Sequence, residues 1–79
     1  MNVRLFARAK DLAGAEFVTL QLGPPATIGT VRSALLEHCP ALKPIAGSLM
    51  AAVNADYASD DRVISNDCEI AFFPPVSGG

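Results

Sequence analysis

The sequence predicts a small α+β domain in which one amphipathic helix packs across one face of a mixed sheet. Three observations predict it. Several short segments alternate apolar and polar residues with the period of a strand. A single stretch beginning at Ile28 carries its apolar residues at helical spacing. With 79 residues the chain has room for one modest core, so the helix and the strands must share it.

Asn2 to Arg8 sets Val3, Leu5 and Ala7 against Asn2, Arg4, Phe6 and Arg8 and reads as a strand. Lys10 to Ala15 contains Gly14 and reads as a turn. Glu16 to Leu22 alternates again with Val18, Leu20 and Leu22 on one side, and the two strands are expected to pair as a hairpin. Gly23-Pro24-Pro25 breaks the pattern, and Thr27 then stands where a helix N-cap belongs. Ile28, Val31, Leu35 and Cys39 form the helical stripe, widened by Leu36, and Pro40 ends it. His38 lies in the last turn, where a solvated or dipole-favoured side chain is the simplest reading. Ala41 to Gly47 is expected to be a connecting loop, and Ser48 to Asn54 a third strand with Leu49, Ala51 and Val53 on one face. Asn54 to Asp67 is polar and turn-rich, with Val63-Ile64 forming either a minor strand or a turn of helix. Asn66-Asp67 suits a tight turn, and Cys68 to Phe73 alternates Cys68, Ile70 and Phe72 against Glu69, Ala71 and Phe73.

Composition narrows the function classes. Hydrophobic residues make up 51% of the chain and charged residues 18%, an apolar surplus that points to a contact surface beyond the core. A net charge of −2 lacks the basic footprint of a nucleic-acid binder. No apolar run reaches the ~20 residues that cross a bilayer, and no secretory signature opens the chain, so a cytoplasmic location without membrane partners is expected. Cys39 and Cys68 lack the spacing of a metal site or a redox pair, and nothing in the sequence around either suggests a lowered pKa. No metal site is expected.

The last residues say most about function. Phe72-Phe73-Pro74-Pro75-Val76 leads into Ser77-Gly78-Gly79, and glycines let a backbone pass through a channel too narrow for side chains. Pro74 and Pro75 hold the base of that arm extended, which reduces the entropy lost on insertion into another protein. A domain over residues 1–73 with a tail over 74–79 follows. A frayed terminus is the plainer alternative.

The stretch from Val3-Arg4-Leu5-Phe6 through Lys10-Asp11-Leu12-Ala13-Gly14, the segment Ala52-Val53-Asn54 and above all Phe72-Phe73-Pro74-Pro75-Val76-Ser77-Gly78-Gly79 resemble the small subunits of molybdopterin synthase, over the full length of the chain. The resemblance implies a ubiquitin-like β-grasp with the first and last strands parallel at the sheet centre. Phe6 and Phe73 would then sit near each other on the face away from the helix, beside Arg4 and Arg8. Packing of each ring against its own neighbours at a sheet edge is the alternative.

The resemblance also implies a sulfur-carrier cycle. An adenylating enzyme related to ubiquitin-activating enzymes uses ATP to convert the Gly79 carboxylate to an acyl adenylate, and a sulfur donor protein replaces the nucleotide to leave a thiocarboxylate. Pro74, Pro75, Val76, Ser77 and Gly78 insert into the large subunit, where sulfur passes to cyclic pyranopterin monophosphate in a heterotetramer. Phe6, Tyr57 and Phe73 match hydrophobic contact positions of the family, and Lys10 stands where the family often has arginine. Asn66-Asp67-Cys68-Glu69 departs from the common Asp-Gly-Asp-Glu. No cofactor is expected to bind, and no side chain forms a convincing catalytic pair. A protein modifier joined through Gly79, a carrier for thiamine or thiolated tRNA, and a plain binding module are the other classes.

Overall fold

Val3 and Leu5 point the same way from strand β1 (Asn2–Leu5) and are wholly buried. The computed structural model describes residues 1–23, 25–65 and 67–75. β1 pairs antiparallel with β2 (Phe17–Thr19), joining Arg4 to Phe17, and parallel with the last strand, β7 (Ile70–Phe73), joining Leu5 to Phe72. β4 (Met50–Val53) lies antiparallel on the other side of β7 and carries β5 (Asp56–Ala58) at its outer edge. The resulting five-stranded order is β2-β1-β7-β4-β5. Parallel, adjacent first and last strands with helices packed on the sheet make this a β-grasp, the fold that the family resemblance implies. A two-stranded ribbon of β3 (Ala26–Thr27) and β6 (Val63–Ile64) completes the topology, so Val63-Ile64 is a minor strand.

The main helix, α2 (Ile28–His38), forms where its cap and stripe place it. Thr27 Oγ1 accepts the Thr30 N–H at 3.3 Å, and Thr30 Oγ1 accepts the Thr27 N–H at 2.9 Å. Two otherwise unpaired donors are thereby satisfied. Ile28, Val31 and Leu35 are wholly buried against the sheet's inner residues, among them Val53, Ile70 and Phe72.

Three segments differ from the sequence reading. β1 stops at Leu5, and Ala7–Ala13 is a short helix, α1, where the end of a strand and a turn are expected. Ala7 takes a left-handed φ of 53° that turns the chain out of the sheet. Ala9, Leu12 and Ala13 then face the core at helical spacing, and Gly14, at φ 72°, closes the helix by donating its N–H to the Lys10 carbonyl at 2.9 Å. The expected loop after α2 is a 3₁₀ helix over Pro40–Ser48 that buries Leu42. The polar stretch after Asn54 contains β5, entered through Asn54 and Ala55, both at positive φ (50° and 72°), as a tight two-residue hairpin loop requires. The Asn54 side chain ties that hairpin to the chain before β7 by accepting the Glu69 N–H at 2.8 Å.

Candidate docking face and tail

The outer surface of the sheet is the candidate functional site. Register aligns Phe17, Arg4, Ala71, Ala52 and Tyr57 in one row across all five strands. The adjacent row sets Met50 opposite Phe73. Because inward residues of β1, β4 and β7 alternate with these, burial of Val3, Leu5, Ala51, Val53, Ile70 and Phe72 forces the others outward. Phe17 is 55% and Tyr57 72% exposed, values that a core-forming aromatic does not show. Ala71 and Ala52 lie between them in the row and line a depression of this face together with Arg4, Phe6, Phe17 and Glu69.

Phe6 is half-exposed and lines that depression, with the Arg4 guanidinium 4.7 Å from its ring centroid. Phe73 pairs instead with Tyr57, their rings 5.8 Å apart and tilted by 56°. The two phenylalanines are thus close in register, the Phe6 N–H donating to the carbonyl of Phe72, yet belong to separate aromatic groups. Tyr57, in the stretch expected to be polar and turn-rich, lies on β5. Arg8 and Lys10 are on α1, so Arg8 does not flank the aromatic rows as a strand residue. Lys10 is exposed there. Phe17 was missed by the sequence reading, although an aromatic between Glu16 and the inward Val18 was a visible signal: it stands out of phase with Val18 and Leu20.

β7 leads directly to Pro74, half-buried, and Pro75, exposed. The tail residues Val76, Ser77, Gly78 and Gly79 lie outside the described residues. Among the described residues no three His, Cys, Asp or Glu side chains converge as a metal site, and no helix is long and apolar enough to cross a membrane. Cys68 departs from the sequence expectation. Hydrogen bonding from the Ser65 backbone and then the Ser65 hydroxyl, 3.6 Å from Sγ, lowers its thiol below the usual range, whereas burial pushes Cys39 up.

The ThiS family model matches residues 3–79. The molybdopterin synthase sulfur carrier subunit of Haemophilus influenzae is 36% identical over 100% of this chain and 99% of its own length. The chain belongs to the ThiS family, among the molybdopterin synthase sulfur carrier subunits. The corresponding subunit of Arabidopsis thaliana is 32% identical, with 100% of this chain and 82% of that protein covered. Among solved structures, SAMP1 of Haloferax volcanii, a small archaeal modifier protein, superposes with a TM-score of 0.86 at 29% identity, covering 99% of this chain and 97% of that one. A chain from a Helicobacter pylori complex of subunits 1 and 2 of molybdopterin-converting factor shares the fold, with a TM-score of 0.70 at 22% identity over 99% of this chain and 96% of that one.

Proposed function

We propose that this chain is the sulfur-carrying subunit of a molybdopterin synthase and that Gly79 carries the sulfur. The observation that supports this most directly is full-length similarity to the sulfur carrier subunits, with the family match running through residue 79. A carboxylate is a poor electrophile. Adenylation by an ATP-using enzyme related to ubiquitin-activating enzymes, with release of pyrophosphate, makes AMP the leaving group, and hydrosulfide-level sulfur supplied by a donor protein attacks the Gly79 acyl carbon, the new C–S bond replacing the C–O bond to AMP. The resulting thiocarboxylate is ionised and nucleophilic at neutral pH. Gly78 and Gly79, without side chains, allow the tail to enter the large subunit's site, guided by Pro74, Pro75, Val76 and Ser77. There the sulfur passes to cyclic pyranopterin monophosphate. The outer sheet face, through Phe6, Phe73 and Tyr57, is the docking surface for the large subunit and the activating enzyme, and Lys10, exposed on α1, is a further contact; heterotetramer assembly completes the reading. Exposed aromatic side chains anchored on a rigid sheet next to the base of the tail are what such docking needs.

The test is the intact mass of the chain, with its C-terminus free, after incubation with the activating enzyme, ATP and a sulfur donor. Replacement of one oxygen by sulfur at Gly79 is expected. An unshifted mass, with the activating enzyme active on another carrier, rejects the carrier reading. Likeness to SAMP1 favours a second reading, a protein modifier joined to lysines through Gly79. That reading predicts a ladder of higher-mass conjugates in cells, where the carrier reading predicts a single thiocarboxylated form.

A further inference from the structure

Arg32 and Arg4 are held in contrasting ways. Arg32 uses all three guanidinium nitrogens: Nε and Nη2 donate to Asp60 Oδ1 at 3.2 and 3.1 Å, and Nη1 donates to the carbonyls of Leu49 at 2.7 Å and Ala46 at 3.4 Å. Arg4 is held by rings. Its guanidinium carbon lies 4.7 Å from the Phe6 centroid and 5.6 Å from that of Phe17. Among the described residues its side chain makes one hydrogen bond, a long 3.4 Å contact from Nη2 to Glu16 Oε1, and Nε and Nη1 make none. The Arg4 and Glu16 side chains are 49% and 42% exposed, so water serves the remaining donors.

Docking of a partner on this face, the reading on which this inference rests, removes that water. A guanidinium desolvated without acceptors strongly opposes association, and one weak contact with Glu16 does not compensate for it. A partner that docks here must therefore bring its own acceptor. We propose that Arg4 is a specificity-determining residue of the docking face, and that it receives an Asp or Glu side chain of the large subunit through the donors that Glu16 leaves open. The planar fork suits a carboxylate. Stacking by Phe6 and Phe17 orders the guanidinium beforehand, which lowers the entropy lost on pairing. Glu16 and Glu69, on the same side of the molecule as the depression, disfavour a dianionic phosphate, whereas a single carboxylate on an apolar protein surface matches both the cation and its rings. A large subunit with an apolar or basic residue at that point leaves Arg4 unpaired and is rejected.

Titration calorimetry of the chain against the large subunit of the same organism tests this. Arg4→Ala is expected to weaken binding about tenfold or more and to make the affinity less sensitive to salt. Arg4→Lys, which keeps charge without the fork, is expected to recover only part of the loss. In a scan of Asp→Asn and Glu→Gln variants of the large subunit, one position is expected to abolish the further effect of Arg4→Ala. Affinity within about twofold of wild type for Arg4→Ala, alongside weakened binding by Phe73→Ala, overturns the role of Arg4 and leaves the docking face standing. The absence of any coupled carboxylate overturns it as well. Unchanged affinity for both Arg4→Ala and Phe73→Ala overturns the docking face and this inference together.

Discussion

The two surfaces of the five-stranded sheet carry residues of the same kinds under opposite rules. On the inner surface Leu5, Val53 and Phe72 are wholly buried, and Arg32, reaching from α2 to within 5.3 Å of the Phe72 ring, has every guanidinium nitrogen engaged. On the outer surface Phe17 and Tyr57 stand in solvent and Arg4 is held chiefly by aromatic faces. Adjacent residues of one strand, Phe72 and Phe73, are divided between these surfaces by the pleat alone. Satisfied groups mark the surface that stabilises the fold, and unsatisfied ones mark the surface available to a partner.

The largest test of that contrast exchanges alanine for each phenylalanine in turn. Phe72→Ala removes a wholly buried ring and is expected to cost about 3–5 kcal/mol in denaturant unfolding. Phe73→Ala is expected to cost less than about 1 kcal/mol in stability while weakening large-subunit binding by about 1 kcal/mol or more. Similar losses of stability at both positions would break the assignment of the two faces. Arg32→Ala comes next. Its bonds to Leu49 and Ala46 join α2 to the start of β4 across the 3₁₀ helix, and their loss is expected to cost about 1–3 kcal/mol; Arg4→Ala, measured alongside, should leave the unfolding midpoint nearly unchanged.

Ala55→Gly has a smaller effect of opposite sign. Ala55 sits at φ 72°, where a Cβ is strained, so glycine is expected to stabilise the hairpin by about 0.5–1 kcal/mol, read as a higher melting temperature. A decrease would mean that the left-handed turn carries no strain. The last contrast is between the thiols. The lowered Cys68 pKa places more thiolate at neutral pH, and the raised Cys39 pKa places less. Iodoacetamide should label Cys68 first, its rate rising at lower pH than that of Cys39, with peptide mass analysis assigning each site. Substituting Ser65→Ala should shift the Cys68 labelling profile to higher pH, because one of the two Ser65 hydrogen bonds is removed.

Much of the fold was legible because its signals are local. Thr27 and the Ile28, Val31, Leu35 stripe place α2 and its cap, and the alternation of Val3 and Leu5 or Ile70 and Phe72 gives the inward residues directly. α1 was hidden because Ala7 continues the β1 alternation while Ala9, Leu12 and Ala13 begin a helical one, and a chain segment this short satisfies both patterns. β5 was hidden because an edge strand needs little apolar sequence when only its partner β4 supports it. The candidate docking face was half legible: alternation turned Phe6 and Phe73 outward with Arg4 beside Phe6, but the pairing of Phe73 with Tyr57, which puts the two phenylalanines in separate groups, was not foreseen.

By itself the sequence determined the inward residues of β1, β7 and α2, where α2 begins and ends, and the Gly-Gly motif at 78 and 79, since caps, periodicity and motif are properties of neighbouring residues. The tertiary structure alone decided that Phe17, Arg4, Ala71, Ala52 and Tyr57 form one row. That row joins positions far apart in the chain through strand register, and register is set by how all five strands pack at once, because a slip of one residue would turn every one of these side chains to the other face.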